Sequence, residues 1–160
     1  MEALYSIAEA LEGSSLGTWA RGSSFAYPLA NLAHLLGLVM LVGSIGIVDL
    51  RLAGFWRDLP LAQLSRALTP VGIGGLLLMA PSGLVLFVAD AGPLIRSSAF
   101  QLKMLLIALA IANALAFRTL SRDRLAGWQG SVPLPGRLMA IGSIGAWLMI
   151  AALGRLIAYT

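Results

Sequence analysis

The sequence contains one histidine and no cysteine, and this scarcity limits the chemistry that its side chains can perform. Without cysteine, the chain can form no disulfide bond, thiolate metal site or thiol nucleophile. Because His34 is the single histidine, sites that need two histidines from one chain, including most zinc and di-iron sites, are also excluded. We find no nucleophile beside a base, no phosphate-binding loop and no carboxylate pair at catalytic spacing. The sequence therefore leaves open whether the protein is an enzyme.

Polar residues inside long apolar runs are the remaining candidates, because ionisable groups are costly in a membrane and usually serve a function there. Asn31 and His34 lie one turn apart in the first run, and Lys103 lies near the start of the third run. If the runs are membrane-spanning helices, these residues share one half of the bundle with the end of the last run. The residues at this depth are Asn31, His34, Ser82, Lys103, Arg155 and Tyr159. We expect them to cluster, with His34 and Lys103 in one shared site.

His34 can be either an axial ligand to haem or a core histidine that hydrogen-bonds to a neighbouring helix. Imidazole is a common haem ligand, and four-helix bundles often hold cofactors between their helices. The second axial ligand would be Met, Lys, water, an open position, or the histidine of another subunit. Lys103 and Arg155 suit haem propionates, because carboxylates form strong charge-assisted hydrogen bonds. In the alternative reading, Lys103 extends its ammonium to the membrane interface, and Arg155 and Tyr159 anchor their helix there.

The composition indicates that these runs lie in lipid. Hydrophobic residues make up 59% of the 160 residues, and charged residues make up 11%, whereas a soluble domain carries about 25% charge. The mean hydropathy is +0.88. The net charge of +4 does not indicate nucleic-acid binding, because the basic residues lie in short loops between apolar runs, where membrane topology accounts for them.

Four apolar runs are each close to the ~20 residues that a helix needs to cross the hydrocarbon of a bilayer. They cover residues 27–48, 67–89, 100–117 and 137–159. The sequence therefore predicts an all-α fold, an integral membrane four-helix bundle that forms a single domain over residues 1–160. Within the N-terminal segment, residues 1–24, the apolar spacing predicts a short amphipathic helix over residues 2–12 that lies on the membrane surface.

The loops between these runs predict the orientation of the protein. Positively charged loops stay on the cytoplasmic side of a membrane. The loops after the first and third runs carry seven arginines, whereas the loop after the second run carries Arg96 alone. The seven are Arg51, Arg57, Arg66, Arg118, Arg122, Arg124 and Arg137. Both termini are therefore expected outside, in the periplasm if the host is Gram-negative.

Two further polar features are expected to have structural roles. Asn113 lies deep in the third run, where its amide is expected to form a hydrogen bond between helices. Asp49 and Arg51 lie at the end of the first run and are expected to form a local pair.

Three strings in the sequence resemble an uncharacterised family of small four-span bacterial inner-membrane proteins. They are ANLAHLLGLVMLVGSIGIVDLRLAG, FQLKMLLIALAIANALAF and GRLIAY, and they follow one another in this order along nearly the whole chain. The chain is more distantly similar to the membrane domain of copper-resistance protein D and to HemJ-type protoporphyrinogen oxidases. Those proteins share a histidine followed by small residues, matched by His34, Gly37 and Gly43, and a later lysine, matched by Lys103. The chain lacks their usual tryptophan after the histidine and their further histidines.

The resemblance implies a site for haem or porphyrin at His34 and Lys103, since that pair is implicated in such binding in the HemJ-type proteins. We therefore expect a haem b protein of the bacterial inner membrane, with His34 as the metal ligand and a role in redox chemistry or haem handling. The alternatives are a structural or accessory subunit and a metal-tolerance or transport component resembling copper-resistance protein D. The expected partners are the lipid bilayer, a further copy of the chain, and a redox or other membrane protein.

Overall fold

The computed structural model describes residues 2–121, 125–128 and 131–157, and it confirms the all-α four-helix prediction. Within these ranges the helices are α1 (Glu2–Glu12), α2 (Ser15–Gly22), α3 (Ala26–Ala53), α4 (Leu61–Ala89), α5 (Ala91–Arg96), α6 (Ser98–Ser121) and α7 (Leu134–Leu156). A short 3-10 turn covers Leu125–Gly127.

Four of these helices, α3, α4, α6 and α7, are long and apolar enough to cross a membrane. The first three predicted spans lie inside α3, α4 and α6, but α3 and α4 extend well beyond them on one side. Hydropathy marks the part of a helix that contacts lipid, whereas α3 and α4 continue into a polar stretch of chain that contains Asp49, Arg51 and Arg66. The fourth predicted span is shifted, because α7 begins at Leu134 and ends at Leu156. Residues 158–159 of that predicted span lie outside the described residues.

The spanning helices form three closely packed pairs in the described part of the chain. Among the described residues, α3 packs on α4 and on α7, and α6 packs on α7. The closest approach joins α3 to α4, because a Cβ atom added to Gly75 would lie 2.6 Å from the carbonyl oxygen of Gly37. Glycine at both positions lets the two backbones touch, which favours association of helices in lipid. By contrast, α4 and α6 are not a closely packed pair, and we call the junction between them the α4–α6 seam.

All four spanning helices contribute to one apolar core. Leu41 and Met79 meet Ala110, Trp147 and Ile150 in a buried cluster at the centre of the bundle. A second buried cluster lies nearer the loop between α3 and α4, and its members are Val48, Leu52, Leu61, Val132 and Ala140. The two clusters together fix the four helices as one bundle.

The N-terminal helices cover one end of the bundle, which we call the capped end. Helix α1 occupies the predicted residues, but instead of standing alone it packs on α5, and Glu9 forms an ion pair with Arg96 at 2.9 Å. The sequence did not predict α2, which starts where the Ser14 side chain accepts a hydrogen bond from the Gly17 amide. Arg21 ties α2 to the bundle by donating to the carbonyl oxygen of Ala89 at 2.8 Å.

Candidate functional site

His34 lies on α3 in the half of the bundle near the capped end, and α4 holds its ring. The Nδ1 atom lies 3.1 Å from the hydroxyl oxygen of Ser82. That hydroxyl donates its own proton back along α4, to the carbonyl oxygen of Leu78 at 2.6 Å. The Met79 carbonyl interacts with the ring as well. His34 is therefore held from one side by the polar groups of a single turn of α4.

The hydrogen bonds around Ser82 bear on the tautomer of the imidazole. A serine hydroxyl has one proton to donate, and two carbonyl oxygens of α4, those of Leu78 and Met79, lie 2.6 and 3.2 Å from the Ser82 hydroxyl. When Ser82 donates to either of them, it accepts from His34, and Nδ1 then carries a proton. In the neutral ring the lone pair then lies on Nε2. Histidines that bind metals are oriented in this way, with one ring nitrogen donating to a fixed acceptor and the other bound to the metal.

Gly83 leaves space on α4 for the imidazole of His34. A Cβ atom added at Gly83 would lie 3.0 Å from Cε1 of His34 and 3.3 Å from Nδ1. Any side chain here would push the ring away from α4 and away from Ser82. The absence of a side chain at Gly83 thus fixes where the ring lies, and Ser82 fixes its rotation.

Lys103 brings α6 and α7 to the same site. Its half-buried side chain crosses from α6 to α7, where Nζ lies 3.2 Å from the position that a Cβ atom would occupy on Gly154. The charge of Lys103 also acts electrostatically on the His34 ring. The structure thus brings together one position from each spanning helix: His34, Ser82, Lys103 and Gly154. We call this set the four-helix site.

The other predicted site residues lie at its border or beyond the described part of the chain. Asn31 is on α3 one turn before His34, but it is exposed on the bundle surface. Arg155 follows Gly154 on α7 and is also exposed. Tyr159 lies outside the described residues. The depth of Asn31 and Arg155 follows from the sequence, but their position around the helix directs them outward.

Sequence reasoning missed the two glycines that seat the His34 ring and the Lys103 side chain. The chain has 18 glycines, and nothing in the sequence distinguishes Gly83 and Gly154 from the rest. Ser82 was expected at the depth of His34, but its hydrogen bond was not. A serine beside a proline at that depth, opposite the only histidine, is the one signal that could have indicated it.

The two polar residues expected to have structural roles have different outcomes. Asn113 donates from Nδ2 to the carbonyl oxygen of Met139 at 3.1 Å, which joins α6 to α7 as expected. Asp49 and Arg51 have separate partners. Asp49 meets Ser143 on α7, whereas Arg51 donates to loop carbonyls, because side chains two positions apart point to different sides of a helix.

The donor set fits a haem ligand better than a multidentate metal ion. Nε2 of His34 offers one imidazole lone pair, and the Lys103 ammonium offers a partner for a carboxylate. Within the described residues there is no group of three or more His, Cys, Asp or Glu side chains that could hold a metal ion. Two cavities, of about 40 and 190 Å³, lie elsewhere in the described part of the chain and are not lined by His34.

The four long apolar helices define the chain as a multi-pass α-helical membrane protein. No family model, no curated protein and no solved structure matches it.

Proposed function

We propose that this chain is a bacterial inner-membrane protein that binds haem b through Nε2 of His34 and acts in redox chemistry or haem handling. The observation that carries the proposal is the hydrogen bond between His34 and Ser82. With the Ser82 proton donated within α4, the imidazole would donate from Nδ1 and keep its lone pair on Nε2 for the iron.

Lys103 supports the same proposal through its charge. A half-buried ammonium in a membrane needs an acceptor or an anion close by. In the residues described, Lys103 forms no ion pair, and the carboxylates that do form ion pairs, Glu9 and Glu12, belong to the cap. A haem propionate would supply the missing negative charge, and a charge-assisted hydrogen bond to it would be stronger than a neutral one.

The α4–α6 seam is the place where the bundle can admit a flat amphiphile from the lipid. Helix α6 is the least buried of the four spans, with 6% of its most apolar stretch buried inside the protein. At the capped end the seam is closed by Phe87 of α4, which stacks on Phe100 of α6 at 5.5 Å between ring centroids. Below the site, Met79 and Trp147 fill the core and exclude water.

These residues would each have a defined task with haem bound. The haem supplies one-electron redox chemistry. His34 would bind the iron, Ser82 would hold the imidazole in the orientation that presents Nε2, and Lys103 would hold a propionate. The glycines at 83 and 154 keep the spaces that the ring and the ammonium occupy.

A haem titration of the purified protein in detergent tests the proposal. Haem added to wild-type protein should give a Soret band that saturates at one haem per chain, or per two chains if a dimer shares it. His34→Ala should abolish the band. Asn31→Ala is the matched control, because Asn31 is exposed one turn away, and it should bind as the wild type does. Equal binding by wild type and His34→Ala would refute the proposal.

A structural or accessory subunit is the second candidate, and the exposure of α6 favours it. Leu102, Leu105 and Leu109 are each about half exposed, at 45%, 56% and 55%, so α6 presents an apolar face that a partner helix could cover. The absence of cysteine allows a direct test. Leu105→Cys should form disulfide-linked complexes in native membranes if another helix packs there, whereas Leu77→Cys on the exposed side of α4 serves as the comparison.

A further inference from the structure

Asp49 is a buried carboxyl group that the four-helix site does not use. It lies on α3, 15 residues after His34, which corresponds to about 22 Å along the helix axis. The side chain is 7% exposed, and the hydroxyl of Ser143 on α7 interacts with it. The second carboxyl oxygen, Oδ2, has no hydrogen-bond partner among the described residues.

An apolar cavity of about 40 Å³ lies beside this carboxyl, in the groove between α3 and α7. Its other lining residues are Val42, Gly46, Ile144, Trp147 and Leu148. A cavity of this size has room for a water molecule, but a buried water needs two to four polar partners, and the lining beyond Asp49 is apolar. Leu148 is 57% exposed, so this groove adjoins the outer surface of the bundle.

Among the described residues, no charged group forms an ion pair with Asp49. Arg51, on the same helix, donates to the carbonyl oxygens of Leu59 and Arg57 at 2.8 and 2.7 Å. On α7, Arg137 lies six residues before Ser143, about 9 Å along the axis, and its Nε has no partner in the described part of the chain. On α4 and α6 the charged residues at this end are Arg66 and Arg118, and both are exposed.

An ionised carboxylate with a bare oxygen in apolar surroundings is costly, and a carboxyl in that position takes up a proton instead. We propose that Asp49 is a proton-binding site that is protonated at neutral pH and can be reached through the groove between α3 and α7. Ser143 meets the carboxyl from α7, and the proton neutralises it. The ligand of this second site is therefore a proton, and the site is separate from His34 and Lys103.

Dicyclohexylcarbodiimide, an apolar reagent that reacts with protonated carboxylic acids, tests the proposal directly. The acid O–H adds across one C=N bond of the reagent, and the product rearranges to a stable N-acylurea; nothing leaves and nothing is oxidised. Mass spectrometry of the full-length protein in detergent at neutral pH should locate one adduct on Asp49. The adduct should be lost in Asp49→Asn and should decrease as the pH is raised. Asp90, which is exposed, is the internal control and should stay unmodified.

Thermal unfolding and infrared spectroscopy test the protonation of Asp49 without the carbodiimide reagent. Asparagine is nearly isosteric with a protonated aspartic acid, so Asp49→Asn should unfold at the wild-type temperature. If that variant fails to fold, the wild-type infrared spectrum decides, because a protonated acid has a carbonyl stretch that a carboxylate lacks. Absence of both the adduct and that stretch in folded wild-type protein would overturn the proposal. So would destabilisation of Asp49→Asn that is relieved by adding Arg137→Gln, because it would reveal an ion pair.

Discussion

At the scale of single residues, the direction in which the Ser82 hydroxyl donates its proton decides which nitrogen of His34 a ligand can use. In the proposed arrangement Ser82 donates within α4, to Leu78 or Met79, and accepts from His34. If Ser82 were free to rotate, the imidazole could adopt either tautomer. The backbone of α4 thus determines, through Ser82, which nitrogen of His34 is available to a ligand.

Replacing this hydroxyl should weaken haem binding without unfolding the bundle. In Ser82→Ala the Nδ1 proton loses its acceptor, and loss of such an outer-shell partner typically lowers metal affinity by about 10–100-fold. The dissociation constant from a haem titration measures the effect. Ser44→Ala is the matched control: Ser44 is also buried and bonds back to its own helix at Met40, but it lies on α3 away from the ring. An equal loss of affinity in both variants would contradict a specific role for Ser82.

Asn113 is expected to stabilise the bundle without contributing to the site. Its side-chain amide joins α6 to Met139 on α7, and interhelical hydrogen bonds in membranes contribute roughly 0.6–2 kcal/mol each. Asn113→Leu should therefore lower the thermal unfolding temperature in detergent modestly and leave haem affinity unchanged. Loss of haem binding at unchanged stability would show that Asn113 belongs to the site.

At the scale of the elements, the sequence predicted the four spans, but it did not predict where α3 ends or that α2 exists. The length of the apolar runs fixes that four helices cross the membrane, because lipid thickness sets that length. It does not fix where α3 ends, since Asp49 and Arg51 continue the helix beyond the lipid-facing part. Nor does it reveal α2, an eight-residue helix that depends on the Ser14 cap and on contact with α4.

The rotation of each helix about its axis was the main quantity that the sequence could not give. Counting residues from the end of each span gives the depth of a side chain in the membrane, and this depth placed His34, Lys103 and Asn31 in the same half of the bundle. The side of the helix on which a side chain lies depends on which neighbouring helices pack closely. Here that packing is set by glycine contacts such as Gly37 with Gly75. For this reason the charge of Lys103 acts on the His34 ring while Asn31 is exposed on the bundle surface.

Helix α7 positions Lys103 through the space at Gly154, and a larger residue there should displace the ammonium. A Cβ atom at Gly154 would lie 3.2 Å from Nζ, and a leucine would reach further. Because Lys103 is the only lysine, the labelling by an amine-selective reagent of the peptide that contains it, measured by mass spectrometry, reports its exposure. We expect faster labelling and weaker haem binding in Gly154→Leu. Gly142→Leu, at a position with open space around it, should behave as the wild type does. Unchanged labelling in Gly154→Leu would contradict this arrangement.

At the scale of the whole molecule, an even number of spans puts the start of the first span and the end of the last span on the same side of the membrane. The capped end then carries α1, α2 and α5, whereas the opposite end carries the arginine-rich loops. Positive loops remain in the cytoplasm, so we expect the four-helix site in the outer half of the bilayer.

Fusions at the C-terminus check this orientation. Alkaline phosphatase is active only outside the cytoplasm, and green fluorescent protein exported in unfolded form does not become fluorescent there. We therefore expect an active phosphatase fusion and a dark fluorescent-protein fusion in a bacterial host. The reverse pair of results would show that the orientation is inverted and that the site faces the cytoplasmic half.

The central claim is that the ring of His34 donates from Nδ1 and keeps its lone pair on Nε2 for haem iron. Because the chain has one histidine, nitrogen NMR of protein labelled only at histidine reports this ring without ambiguity. In the haem-free protein at a pH where the ring is neutral, we predict a proton on Nδ1 and none on Nε2. Added haem should perturb the Nε2 signal and leave the Nδ1 proton in place. A proton on Nε2 in the haem-free protein, with an Nε2 signal that haem leaves unchanged, would contradict the account.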